Sequence, residues 1–182
     1  MEAALSILVG IGLAAACGFR VFIPPLVMSI AAMAGHLKLA PGFEWIGTWP
    51  ALLAFATATL FEVIAYYVPW LDNLLDAAAT PAAIVAGVLV TASVVQAMSP
   101  WLRWSLAVIA GGAAAGTVQL LTVKARALSS LFTLGAANAG VSTAEAGGAV
   151  LTSLLVLLFP ILAAAVLMAF GLGVWLLLRR RR

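Results

Sequence analysis

The stretch Ala146–Leu178 reads AGGAVLTSLLVLLFPILAAAVLMAFGLGVWLLL and contains no charged residue. A helix needs about 20 apolar residues to cross the hydrocarbon core of a bilayer. This stretch is long enough to cross it, with Pro160 partway along. It predicts that lipid surrounds at least this part of the chain.

The composition of the whole chain extends that prediction. Of the 182 residues, 65% are apolar and 8% are charged, whereas a soluble domain is about half apolar and about a quarter charged. A chain this short has too little interior to bury so much apolar surface in water, and intrinsic disorder requires the opposite composition. We therefore predict a single integral membrane domain over residues 1–182.

Four further stretches are apolar enough to be transmembrane helices: Ala3–Ala34, Pro50–Trp70, Pro81–Ser99 and Trp101–Val123. A hydroxyl residue precedes a proline at Thr48–Pro50, Thr80–Pro81 and Ser99–Pro100, a pattern typical of helix N-termini. The predicted fold is therefore all-α and polytopic, with about five transmembrane helices, one or two of them broken or re-entrant. The first stretch is either one span or a hairpin broken at 18–25.

The basic residues predict the orientation. Arg179–Arg182 follow the last apolar stretch directly, which indicates a cytoplasmic C-terminus that contacts anionic headgroups rather than nucleic acid. An odd number of spans then places the N-terminus outside, with Lys38 and Arg103 in cytoplasmic turns. Lys124 and Arg126 fall on the outer side, against the positive-inside rule. Either the segment 127–141 is re-entrant or these two cations are functional.

Small residues recur every four positions in two of the stretches. Gly10, Ala14 and Gly18 form one such set, and Gly112 and Gly116 form another. This spacing lets two helix backbones approach closely in lipid. It predicts either a homodimer interface or packing between helices of one chain.

The two sets also show a weak internal similarity. The segment 14–18 precedes a polar break at Arg20, and the segment 113–116 precedes one at Lys124 and Arg126. With three helical pieces in each half, duplicated halves would be inverted, as they are in many transporters. Two inverted repeats are one interpretation, and chance similarity in an apolar sequence is the other.

Arg20 and Glu62 are the ionisable residues placed most deeply in the predicted spans. An ionisable group at the centre of a bilayer costs at least about 2.5–3.5 kcal/mol. Counted from the cytoplasmic ends of their segments, both lie roughly 18–21 Å deep. An arginine and a carboxylate at one depth can satisfy each other, so we predict that Arg20 and Glu62 meet. The pair is either a structural link between two helices or a polar site lining a cavity.

Glu62 also begins a polar series. Tyr66, Asn73 and Asp76 follow it at helical spacing, which predicts one polar helix face. Pro69 is expected to kink or restart this helix. Asp72 and Asp76, four residues apart, form a candidate cation pair or simply the wet side of an interfacial helix.

A second polar group comprises Lys124, Arg126, Asn138, Ser142 and Glu145. Its two cations, placed near non-helical backbone, are candidates to bind a phosphate or an anionic lipid headgroup. The alternative is a flexible outer loop with solvated charges.

Three segments resemble a known family. They are Gly18–Leu26 (GFRVFIPPL), the pattern Glu62-x₆-Pro69-x₂-Asp72-x₃-Asp76, and Lys124-x-Arg126 followed by Asn138, Ser142 and Glu145. Together they are similar to the bacterial membrane family called domain of unknown function 4126. The resemblance implies a multipass fold in the bacterial inner membrane, and it implies no activity. Two departures are Tyr66-Tyr67-Val68, where relatives carry a cation, and the Ala that follows Glu145.

The sequence lacks the motifs of intramembrane prenyltransferases, phosphotransferases and aspartyl proteases, so we expect no enzyme and no cofactor. The leading hypothesis is a transporter or channel for an ion or small solute that uses Arg20 and Glu62, with Tyr66, Asp72, Asn73 and Asp76 along its pathway. Alternatives are a carrier of anionic lipid or lipid-linked phosphate, and a non-catalytic scaffold.

Overall fold

The structure is a computed structural model that describes residues 2–133 and 137–179. Within its helices, the side chains at 69–74, 76–77, 167, 170–171 and 174–179 are outside that description. The carboxylates of Asp72 and Asp76, the amide of Asn73 and the side chains of Arg179–Arg182 therefore lie outside the described residues.

Every regular element in the described ranges is a helix, as the sequence predicted. Seven main helices follow one another, and a 3₁₀ turn at Glu44–Gly47 precedes the third. Their bounds are α1 Glu2–Cys17, α2 Ile23–Met33, α3 Trp49–Ala65, α4 Pro69–Val94, α5 Pro100–Thr133, α6 Asn138–Leu158 and α7 Pro160–Arg179. A π-helical segment, Ala107–Gly111, lies within α5.

Several predicted boundaries are wrong. Pro81 does not begin a helix but lies inside α4, because the turn at Tyr66–Val68 already restarts the chain at Pro69. The last apolar stretch is two helices, since Phe159 is non-helical and Pro160 begins α7. The cap at Ser99 is confirmed: its hydroxyl accepts a hydrogen bond from the Leu102 N–H at 3.4 Å.

The first apolar stretch is a helical hairpin with both of its ends at one end of the bundle. The Gln96 N–H donates to the Ser6 hydroxyl (3.2 Å), and the Gln96 side chain donates to the Lys38 carbonyl (2.8 Å). Ser6 belongs to the start of α1, and Lys38 follows α2. We call this the Gln96 end. The expected separation of the N-terminus from Lys38 is therefore wrong, because both lie there.

The hairpin tip, residues 18–22, contacts the opposite end of the bundle. We call that end the Tyr66 end, after the turn between α3 and α4. The last turn of α3 reaches the tip through Glu62, and α4 returns to Gln96. Helix α5 then runs back towards Tyr66. Helix α6 follows the opposite course, from Ser142 beside the tip to Val156 against Gly12 in the middle of α1.

The small residues of α1, α4 and α5 pack against one another inside the chain. A Cβ on Gly18 would lie 2.5 Å from the Ala115 carbonyl oxygen, and one on Gly87 would lie 2.9 Å from the Gly111 carbonyl oxygen. The Thr91 hydroxyl, at the same place, donates to the Gly10 carbonyl at 3.1 Å. We call this contact the glycine crossing. It uses the small-residue faces within one molecule, and a homodimer through them stays a prediction.

Two helices, Pro100–Thr133 and Asn138–Leu158, are long and apolar enough to cross a membrane. Shorter apolar helices include Glu2–Cys17, Ile23–Met33 and Trp49–Ala65, so the predicted count of five spans is not confirmed. Large apolar side chains cover the outer surface. Examples exposed by two thirds or more are Trp101, Ile109, Leu131, Phe132, Leu151 and Ile161.

Candidate functional site: a buried charge cluster

Polar side chains from four parts of the chain meet inside the bundle, near the Tyr66 end. We call them the charge cluster: Arg20, Glu62, Tyr66, Arg126, Ser142 and Glu145. Each is at least nine-tenths buried. The hairpin tip, the end of α3, the second half of α5 and the start of α6 supply them. The sequence predicted all six as site residues but divided them between two separate sites.

Arg20 lies at the hairpin tip with 2% of its surface exposed. Its Nη2 donates to the Ser142 carbonyl oxygen at 3.0 Å and lies 3.3 Å from Glu145 Oε2. Its guanidinium carbon lies over the Tyr66 ring, 3.8 Å from the ring centre, a distance at which a cation is attracted to the ring face. Arg20 Nε and Nη1 have no hydrogen-bond partner among the described residues.

Arg126 binds the same carboxylate more closely. Its Nε donates to both oxygens of Glu145, at 3.0 and 3.1 Å, and its Nη2 contacts Oε2 as well. Nη2 also donates to the Ser142 hydroxyl at 3.1 Å. The Arg126 guanidinium carbon lies 4.1 Å from the centre of the Tyr66 ring. Two cations thus share one carboxylate and one aromatic ring.

Glu62 contacts the backbone of the tip rather than a cation. Its Oε1 accepts from the Val21 N–H at 2.7 Å, and its Oε2 accepts from the Phe22 N–H at 3.1 Å. These groups directly precede α2, where helical N–H groups lack partners within their own helix. A carboxylate at a helix N-terminus is also favoured by the helix dipole. Glu62 therefore fixes the start of α2.

Arg20 and Glu62 were expected to form a direct ion pair, and that expectation is wrong for the described residues. The two lie in one cluster, but the Arg20 guanidinium pairs with Glu145 and the Glu62 carboxylate takes the neighbouring amides. Depth matching predicted the proximity correctly. It could not predict that a second carboxylate, Glu145, would come from α6, because that helix was expected to begin only after Glu145.

The polar face expected to run from Glu62 to Asp76 is also wrong, because α3 ends at Ala65 and α4 begins at Pro69. Pro69 does restart the helix, as predicted. Glu62 and the segment 72–76 thus belong to different helices. Whether Asp72 and Asp76 bind a cation stays a prediction.

The second predicted group is divided by the structure. Lys124 and Arg126 lie within α5, which stays helical to Thr133, and Lys124 is exposed whereas Arg126 is buried. The Asn138 amide donates to the Ser130 hydroxyl at 3.0 Å, so it links α5 to α6. Lys124 and Arg126 therefore do not converge on one anion, and a role in binding lipid headgroups stays a prediction.

Sequence reasoning missed the amides of Val21 and Phe22 as partners of a charge. The signal was present in Pro24 and Pro25, because prolines in a first helical turn mark a helix start whose preceding N–H groups are free donors.

A groove reaches the cluster from the side, between α3 and α4. It has a volume of about 390 Å³ and walls that are almost entirely apolar. Glu62 and Tyr66 line it, together with Phe22, Phe61, Ala79 and Ala82. A small molecule of moderate size fits such a volume. The groove gives the cluster an approach from the outer surface of the helices.

These features define the class of the protein. It is a helical protein with apolar outer faces and a buried cluster of charged residues at one internal site. The chain belongs to the family described as Domain of unknown function (DUF4126), whose model matches residues 7–180. This confirms the resemblance drawn from the motifs. Comparisons with curated proteins and with solved structures found no match.

Proposed function

We propose that the chain is a multipass protein of the bacterial inner membrane. The exposed apolar side chains support this, because a soluble protein rarely exposes large contiguous apolar surface. In this proposal α3, α4, α5 and α6 with α7 cross the bilayer, and the α1–α2 hairpin re-enters it, which gives about five membrane segments.

The geometry also revises the proposed orientation. The N-terminus, Lys38 and Arg103 share the Gln96 end, since the Arg103 guanidinium lies over Phe43 and the Phe43 N–H donates to Ala40. Ala40 in turn contacts Ser93. Because basic residues favour the cytoplasmic side, we place the Gln96 end and the N-terminus there. In this proposal the C-terminus is cytoplasmic, as expected from the sequence.

We further propose that the protein moves an ion or small solute through the charge cluster. The observation that carries this proposal is the burial of two arginines and two glutamates beside a groove that opens on the outer surface. Ionisable groups within membrane helices are costly, and they commonly mark ion or substrate pathways. Helix α5 ends about 10 Å beyond Arg126, so the site lies nearer the Tyr66 end than the middle.

Flux in proteoliposomes tests this proposal. Protons, potassium and chloride are measured with entrapped indicators for the wild type and for Glu62→Gln. Glu44→Gln is the matched control, because Glu44 is exposed and, among the described residues, accepts from the nearby Gly42 N–H. We expect flux of at least one ion in the wild type and in the control, and a clear change in Glu62→Gln. Identical flux in all three proteins, or none in any, would contradict the proposal.

A scaffold role is the second candidate, favoured by the pairing of Glu145 with both arginines. In that case the charges only join helices. Glu145→Ala together with Arg126→Ala should then cost less stability than Glu145→Ala alone, because fewer buried cations remain unpaired. A scaffold also gives no flux of any probe in the folded wild-type protein, and that result separates the two candidates.

A further inference from the structure

Arg20 has more hydrogen-bond donors than it has acceptors among the described residues. A guanidinium has five N–H donors, and two of the three Arg20 nitrogens have no partner among the described residues although the side chain is buried. Buried polar groups without partners are rare in native proteins. The Glu62 carboxylate does not accept from these two nitrogens; its Oε1 and Oε2 accept from the Val21 and Phe22 amides instead.

The two arginines are also held unequally. Arg126 binds Glu145 through several contacts, including both carboxylate oxygens. Among the described contacts, Arg20 reaches that carboxylate through Nη2, at 3.3 Å. Arg20 is therefore the cation that can exchange its partner while Glu145 stays paired with Arg126.

We propose that Arg20 binds a carboxylate-bearing solute through its Nη1 and Nη2 edge, with release of its contact to Glu145. A carboxylate accepts two parallel hydrogen bonds from such an edge. The carboxylate of Glu145 already binds between the two guanidiniums. This inference rests on the proposed function, which supplies the passage of the solute through the protein. It adds the chemical class of that solute, which is a monovalent carboxylate. Its source is either a soluble acid or a fatty acid from the membrane.

Thermal unfolding of the protein in nanodiscs of zwitterionic lipid tests the binding. Acetate and oleate are the two probes, and chloride and sulfate at equal ionic strength are the controls. We expect the unfolding midpoint to rise saturably with acetate, with oleate or with both, and the responding probe identifies the source. Arg20→Lys should lose most of the rise, because an ammonium cannot present a bidentate edge.

Glu145→Gln provides a second variant that keeps the shape of the side chain. It removes the competing negative charge, so the half-saturating carboxylate concentration should fall about tenfold, as expected when a charge-assisted contact to Arg20 is weakened. The proposal is overturned if neither carboxylate exceeds chloride and sulfate, or if Arg20→Lys keeps the wild-type response. Should Arg20→Lys not fold, an unchanged half-saturation in Glu145→Gln overturns it instead.

Flux separates this inference from the proposed function. Carboxylate binding without flux of any probe supports the binding site and contradicts transport. Flux of an inorganic ion that neither acetate nor oleate alters, with no midpoint shift, supports transport and contradicts the carboxylate site.

Discussion

The glycine crossing and the charge cluster are both buried, but the first joins helices by close backbone contact and the second joins them through long side chains. At the crossing, Gly18, Gly87 and Gly111 lie so close to neighbouring backbone that no added carbon atom fits. In the cluster, long side chains span the space between the helices. Close backbone contact fixes where the helices lie. The cluster leaves Arg20 only partly satisfied, so it is the region in which partners can change.

The largest effect is expected from removing the shared carboxylate. Glu145→Ala leaves both arginines buried without their anion, and breaking a buried pair costs about 3–5 kcal/mol. Arg126→Ala should cost less, because Glu145 then still pairs with Arg20. Denaturant unfolding in detergent measures both, with the exposed Glu44→Ala as control. Equal losses for Glu145→Ala and Glu44→Ala would show that the cluster does not stabilise the fold.

Gly18→Ala tests the crossing. The new methyl group would lie 2.5 Å from the Ala115 carbonyl and 2.6 Å from Val118 Cβ, so the hairpin tip, directly after α1, and helix α5 must separate. Overpacking of this kind costs about 1–3 kcal/mol.

The matched control is Gly140→Ala in α6, where nothing lies within 4 Å of the added carbon. Alanine favours a helix over glycine by about 1 kcal/mol, so this variant should be as stable as the wild type or slightly more so. A loss as large as that of Gly18→Ala would remove the steric explanation.

The smallest effect is expected at Thr91. Its hydroxyl donates to the Gly10 carbonyl across the crossing, and Thr91→Val keeps the shape but deletes this bond. The loss should be about 1 kcal/mol, measured by the same unfolding assay. A larger loss would show that hydrogen bonding, rather than close packing, dominates the crossing.

The sequence predicted the helical class and the residues of the cluster because both follow from the free-energy cost of burying individual segments and side chains. Apolar stretches need helices, and buried charges need partners. It did not predict which segments meet. Arg20 bonds to a carbonyl 122 residues away, and no local pattern encodes such a contact.

Helix boundaries failed where local signals were ambiguous. Thr80–Pro81 has the residues of a helix start, yet the chain continues as one helix from Pro69 to Val94. Likewise, the last helix was expected to begin at Ala146, after a re-entrant segment or a flexible loop, whereas α6 begins at Asn138. Lys124 and Arg126 were expected to act together for the same reason, whereas the helix turns one side chain to the surface and the other to the interior. The two inverted repeats stay a prediction.

The hairpin tip also sets an order of assembly. Its backbone amides bind a carboxylate that lies about 40 residues further along the chain, and the partners of Arg20 lie in α6. Since a chain is synthesised from its N-terminus, the first hairpin leaves the ribosome with its polar tip unsatisfied. The tip is completed only when Glu62 and then Glu145 arrive, so this hairpin is made before both of its partners and reaches its final contacts after them.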